Sequence, residues 1–234
     1  MRQKSFDQYA EKYDSWFLDN ENVLLSEVKL VAKTLEGCQN IFSVGCGSGL
    51  FESILRKDYG IEINEGLEPS KDMAEIAQKR GINVTISTSE DFDYAGKKYD
   101  TIIYNGCPGY ITDLEKALKN SFDALNVGGK LIVIDIPKES GYGLLYNLAK
   151  AVKSWDHPLL KDVYPRNPYP IELVDQANWR TTGEKIDTMK KIGLTDFEFY
   201  QTLVVHPVYS NDKVEEPVEG YDKGDYVAIC AYKR

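Results

Sequence analysis

The chain has 234 residues, with 28 Lys or Arg against 37 Asp or Glu and a formal net charge of −9. Nucleic-acid binders displace counterions from phosphates with Lys and Arg, so an acidic chain without a long basic run argues against DNA, RNA or an anionic lipid surface as partner. Its length suits one α/β domain with an added cover, and no apolar run approaches the roughly 20 residues of a membrane span.

The four cysteines, Cys38, Cys46, Cys107 and Cys230, form no C-x-x-C pair, and with two histidines there is no zinc spacing, so no metal is expected. Scattered cysteines suit a reducing compartment. The N-terminal MRQKSFDQYAEKYDSWF has no apolar stretch of signal-peptide type. A cytoplasmic protein, monomer or homodimer, is the expectation.

In chain order, Phe6 to Leu35 carries apolar residues at helical spacing and reads as two helices broken near Asp19 to Asn22, with Gly37 as the stop. Asn40 to Val44 is a buried strand running into a glycine cluster. A helix over Leu50–Lys57, a strand over Ile61–Leu67, a helix over Ser70–Arg80 and a short strand over Val84–Ser87 follow. Asp100–Tyr104 is a fourth strand and Thr112–Leu125 its helix. Gly128-Gly129 marks a turn, and Lys130–Ile136 is a strongly apolar fifth strand. Strands alternating with helices imply βαβ units, a parallel sheet and right-handed crossovers. Residues 137–169 break the rhythm with glycines, prolines and aromatics; they read as an insertion containing a helix near Leu144–Ser154. Helices over Pro170–Ala177 and Thr182–Ile192, strands over Phe197–Val205 and Tyr226–Tyr232, and an acidic loop over Tyr209–Gly224 complete the chain.

Two segments point to a ligand. In Ile41-Phe-Ser-Val-Gly45-Cys46-Gly47-Ser-Gly49-Leu50 a strand enters a G-x-G-x-G turn and a helix leaves it. Glycines there admit positive φ and close approach of a ligand, and open parallel sheets bind ligands at the carboxyl ends of their strands. Leu50 stands where a dinucleotide fingerprint needs its third glycine, and no Gly-Lys-Ser/Thr follows, so the NAD and P-loop readings both fail. Glu68 ends the second strand about 20 residues further on, where a carboxylate accepts both hydroxyls of an adenosyl ribose. The plainer reading of Glu68 is an acid beside a helix that Ser70 caps.

These residues resemble the class I S-adenosylmethionine (SAM)-dependent methyltransferases, in particular the broad "type 11" group of small-molecule enzymes. The likeness rests on VGCGSG, GLEPSKDMAEIAQKRGI, KYDTII, ALNVGGKLIVID and the N-terminal FDQYAEKYDSWF, and covers nearly the whole chain. It implies a Rossmann-like, doubly wound sheet of seven strands in the order 3-2-1-4-5-7-6, the last antiparallel. It further implies one domain over 1–234, with an N-terminal helical lid (1–36) and a cover inserted after the fifth strand (137–169). The cofactor would be SAM. Gly45, Cys46, Gly47 and Gly49 would line its methionine and ribose portion, Glu68 would hold the ribose, and Pro69 and Ser70 would flank the adenine. Thr88 stands where the group often has an adenine-facing aspartate, which leaves Ser89 and Glu90 as substitutes. Asn105 and Gly106 would lie beside the methionine end, and Tyr13 would also bind the cofactor.

Methyl transfer from an activated donor needs positioning and water exclusion more than an obvious catalytic signature. Asn105-Gly-Cys-Pro-Gly-Tyr110 lacks the adjacency of the N/D-P-P-Y/F motif of amino-nitrogen methyltransferases. An arsenite-methylating site would need several clustered thiolates, and only Cys46 and Cys107 are placed to be neighbours. Catalytic candidates are His157 and His206 as bases, Asp135 at the end of the fifth strand, and Tyr13. Tyr9, Tyr13 and Trp16 in the lid and Tyr142, Tyr146 and Trp155 in the insertion could wall a planar or cationic substrate or could simply be core. The expected activity is methylation of N, O or C of a small metabolite. The alternatives are a non-catalytic SAM-binding module or partner subunit and an NAD-dependent oxidoreductase.

Overall fold

The computed structural model describes Phe6, Asp7 and residues 9–234; residues 1–5 and 8, at the start of the expected lid, lie outside the described residues. Helix α1 (Ala10–Asp19) stops at Asn20, whose side-chain amide donates to Trp16 O at 2.8 Å, and α2 (Glu21–Thr34) begins at once. The break falls inside the expected interval because a side-chain amide competes there with the backbone ladder.

Strands β1 (Ile41–Val44), β2 (Glu65–Leu67), β3 (Asn83–Thr85), β4 (Tyr99–Asn105), β5 (Leu125–Asp135), β6 (Leu194–Thr202), β7 (Val218–Glu219) and β8 (Tyr226–Lys233) form one sheet, ordered β3-β2-β1-β4-β5-β8-β6-β7. β1 to β5 pair in parallel, and β8 runs antiparallel to both β5 and β6. This is the doubly wound α/β sheet implied by the resemblance. The one small difference is an eighth strand: two residues of the acidic loop pair with Tyr200 and Gln201, too short a segment to show a period of two.

The central strands are buried on both faces, and their side chains divide by alternation. Ile103, Ile132 and Ile134 join the core under α2 and α6 (Gly141–Val152), with α3 (Leu50–Ile54) at its edge. Ile102, Tyr104, Leu131 and Val133 join the core under α5 (Leu114–Ala124) and α8 (Thr182–Lys191). The remaining α4 (Lys71–Lys79) follows β2, and α7 (Ile171–Val174) packs on α6.

Several boundaries move for local reasons. Ile61 to Asn64 stay outside β2. The Gly128-Gly129 pair, read as a turn, lies within β5, where the register with β4 shifts between Tyr99 and Thr101 and Gly128 takes φ +81°. α6 starts at Gly141 because Ser140 Oγ accepts from the Gly143 amide at 3.1 Å. Of the helix expected over Pro170–Ala177, only the turn α7 forms. Among the described residues no helix is long and apolar enough to cross a membrane, and no group of three His, Cys, Asp or Glu could hold a metal ion.

Candidate functional site

The carboxyl ends of β1, β2 and β4 open on a cleft of about 730 Å³, counting the space continuous with solvent. β1 ends at Val44, and the chain then turns through Gly45 and Gly47, both at positive φ. A Cβ at Gly45 would stand 2.7 Å from Cys107 Cβ, so a side chain there collides with the segment leaving β4. A Cβ at Gly47 would meet no protein atom within 4 Å: glycine keeps that space clear beside the cleft. Gly49 and Cys46 do not line it. Gly49 faces Ile82 and Ala77, and the Cys46 side chain packs with Ala74, Ala77, Ile82 and Val84, so both belong to the packing of the turn against α4 and β3.

Glu68, at the end of β2, reaches the same turn. Its Oε2 accepts from the Gly47 amide at 3.0 Å and its Oε1 from the Ser70 amide at 2.8 Å. Burial pushes its carboxyl up to about 7, against the pull of those two amides. Ser70 Oγ caps α4 by accepting from the Met73 amide, and it donates to Asp7. Pro69, Ser70 and the unanticipated Met73 make the adjoining wall. Opposite stand Thr88, Ser89 and Glu90. Thr88 turns its hydroxyl to Asp91, while Glu90 Oε1 accepts from the amides of Thr112 and Asp113. Asn105 and Gly106 close the β4 end, with Asn105 Oδ1 accepting from Tyr226 Oη at 2.9 Å.

The N-terminal segment lies across this cleft through Phe6 and Tyr13. Asp14 fixes it, accepting from Ser48 Oγ at 2.5 Å and from Arg80 Nη2 at 2.7 Å, and Asp7 accepts from the Lys71 amide at 3.0 Å.

Beside the cleft lies a second chamber of about 480 Å³, again counting the space continuous with solvent, which shares Tyr13, Gly106 and Tyr110 with it. Trp16 and Phe17 of α1, Phe51 of α3 and Tyr146 of α6 form part of its wall. Tyr169, Trp179 and Tyr226 form the rest, and two acids, Glu27 and Asp135, also face it. Among the described residues no Lys, Arg or His lines it. Trp16 Nε1 donates to Asn167 O at 3.1 Å and ties the N-terminal helices to the insertion over this chamber. Asp135 Oδ2 faces Lys185 Nζ at 3.4 Å, with both side chains 2% exposed. Burial raises the Asp135 carboxyl, and the Lys185 charge opposes it. The nearby Ile136 amide also favours the ionised form, yet Oδ1 has no partner in hydrogen-bond geometry. Glu27 is 7% exposed, and burial alone pushes its carboxyl up to about 8.

The sequence candidates therefore separate. Gly45, Gly47, Glu68, Pro69, Ser70, Ser89, Glu90, Asn105, Gly106 and Tyr13 meet at the cleft, and Asp135 faces the chamber. His157 and His206 reach neither: each accepts through Nδ1 from the amide two residues on, and His206 is exposed on the surface. Cys107 lines the cleft with its thiol donating to Val44 O, whereas Cys230 is in the core, so no thiolate cluster forms. Sequence reasoning missed Glu27, Phe51, Trp179 and Tyr226. Glu27 left a readable mark: it sits in the buried stripe of α2 with Val23, Leu24, Val28 and Val31, where an acid is out of place. A surface groove lined by Lys33, Glu36, Glu62 and Asn64 opens at the other ends of β1 and β2 and touches none of these residues.

A doubly wound sheet with this strand order, a glycine turn after β1 and an acid ending β2 defines the class of SAM-dependent methyltransferases. A family model described as a methyltransferase domain matches residues 16–182, and the chain belongs to that family. An uncharacterised protein of Methanocaldococcus jannaschii is 31% identical over 228 residues, covering 97% of this chain and 98% of that one. A crystal structure of a SAM-dependent methyltransferase from Thermotoga maritima, described as a possible histamine N-methyltransferase, superposes over 100% of both chains with a TM-score of 0.81 and 28% identity. The plantazolicin methyltransferase in complex with S-adenosylhomocysteine (SAH) shares the fold, with a TM-score of 0.61 and 14% identity over 98% of this chain and 95% of that one. The protein is a SAM-dependent methyltransferase.

Proposed function

We propose that the cleft holds SAM and that the chamber beside it holds a small-molecule acceptor, methylated on N, O or C. The observation that carries the reading is the convergence of Glu68 and the Gly47 turn, 3.0 Å apart, on one open cleft. The residues fit the cofactor: the two Glu68 oxygens each accept one amide and keep further lone pairs for a diol, and the space beside Gly47 is free of side chains. Gly45 and Gly47 line the methionine and ribose portion, Pro69 and Ser70 with Met73 flank the adenine, and Ser89 and Glu90 bound its far side. Asn105, Gly106 and Tyr13 stand at the methionine end.

Bound SAM supplies a methyl group already activated on a sulfonium. The chain positions the acceptor and excludes water. Both the N-terminal helices and the insertion serve as cover, joined by the Trp16–Asn167 bond, so residues 1–234 act as one domain. Asp135 faces the chamber as an acid able to take a proton from an acceptor, and Tyr13, which lines both cavities, keeps its hydroxyl proton and can only donate or accept a hydrogen bond there.

Titration calorimetry with SAH tests the assignment. Glu68→Ala weakens binding by about 100-fold, the loss of charge-assisted bonds to two hydroxyls. In the wild type, affinity falls as pH drops below 7, because only the ionised carboxylate accepts from both hydroxyls. Unchanged SAH affinity in Glu68→Ala removes the residue from the site.

A further inference from the structure

Glu27 poses a problem the cofactor does not solve. It is nine-tenths buried, faces the chamber, and accepts no hydrogen bond from any described residue. No cation among the described residues offsets it, since burial is the sole influence on its carboxyl. Asp135, the other acid of the chamber, has Lys185. A buried carboxylate without a partner is expensive, so Glu27 holds its proton up to about pH 8 until an opposite charge arrives to pair with it.

The surroundings select the partner. Tyr13, Tyr146 and Tyr226 are close enough for their hydroxyls to feel the Glu27 charge, and they come from α1, α6 and β8. With Trp16 and Trp179 they give the chamber π-faces, which attract cations. A neutral occupant leaves Glu27 protonated and an anionic one opposes its ionisation, whereas a cation gives the ionised carboxylate a counter-charge. We propose that the chamber recognises a small organic cation, an amine carried as its ammonium ion, with Glu27 as counter-ion and the aromatic walls as the second contact. This rests on the reading of the chamber as the acceptor side of the SAM cleft. It makes Glu27 the residue that discriminates amines from alcohols of the same shape.

The test is titration of the full chain, with SAH present, using two matched pairs: choline against 3,3-dimethyl-1-butanol, and 2-phenylethylamine against 2-phenylethanol. Each cation binds the wild type at millimolar concentration, at least about tenfold more tightly than its uncharged counterpart. In Glu27→Gln that preference falls to nearly one, in Glu27→Asp part of it returns, and SAH affinity stays at the wild-type value in both. Binding of the uncharged compounds as tightly as the cations, a preference that survives in Glu27→Gln, or no cation binding at all overturns the inference. A Glu27→Gln chain that loses its preference for SAM over SAH assigns the carboxylate to the sulfonium instead, and also overturns it. Failure of the wild type to bind SAH strikes the cofactor assignment alone, because the cation preference is then read without SAH.

Discussion

Replacing Glu27 by Gln should make the protein more stable, and more so as pH rises. The folded chain holds the Glu27 proton up to about pH 8, while the unfolded chain releases it near 4.5. The folded state therefore binds the extra proton between those values. The stability linked to this group is complete below pH 4.5 and is lost as pH rises through 8. The loss is under about 1 kcal/mol at pH 5 and about 4 kcal/mol at pH 8. Gln carries no such term, and whatever its amide costs in the chamber is the same at both pH values. The groups that feel Glu27 are Tyr13, Tyr142, Tyr146 and Tyr226. Burial pushes all four hydroxyls upward, so they stay neutral across this window. The stability difference between variant and wild type thus grows by about 3 kcal/mol from pH 5 to pH 8. For a chain of this size that is a shift of roughly 6–12 °C in relative Tm. Urea or thermal unfolding of both proteins at the two pH values measures it. An equal difference at pH 5 and pH 8 refutes the argument, because Glu27 would then be ionised in the folded state throughout.

Gly47→Val fills the space beside the turn and forces a β-branched residue to φ +56°. SAH affinity should fall by at least about 100-fold while unfolding shows a loss of only about 1–3 kcal/mol; wild-type affinity contradicts the placement of the cofactor. Lys185→Met strands Asp135 and should cost about 3–5 kcal/mol when that acid is ionised, and the cost should shrink as pH falls, because burial already pushes the Asp135 carboxyl upward. A loss that stays the same as pH falls shows that Asp135 does not take up a proton over that range and refutes the argument. Asp14→Ala removes the bonds to Ser48 and Arg80. It should raise amide hydrogen exchange over residues 10–19 and weaken SAH binding several-fold, and unchanged exchange shows that the latch does not hold α1 down.

The two cavities were unequally legible, and chain locality is the reason. The proposed cofactor side is built where strands end and turns begin: Gly45 and Gly47 follow β1, Glu68 ends β2, and Asn105 and Gly106 close β4. Each of these contributions is a short run of neighbours whose chemistry shows in the letters. Even there, spacing alone overreached. Gly49 and Cys46 share the motif, yet they serve the packing of the turn against Ala77 and Ile82. The histidines show the same limit from the other direction: their chemistry suits a base, but only the fold could reveal that His157 and His206 sit away from both cavities.

The chamber is assembled from single residues far apart in sequence: Trp16, Glu27, Phe51, Asp135, Trp179 and Tyr226 arrive on six different segments. To a periodicity argument each aromatic is one more core residue, because an amphipathic helix buries its apolar stripe whether the space beyond is full or hollow. What separates a hollow core from a full one is a charge that hydrophobic packing cannot explain. Glu27 is that charge. Its place in the α2 stripe is the signal of the proposed acceptor site that the sequence carries, and it outranks the tyrosine count. A high aromatic content fits any well-packed domain of this size, whereas a lone acid among rings, ionised only at the cost of its burial, is where an opposite charge from outside the chain gains most.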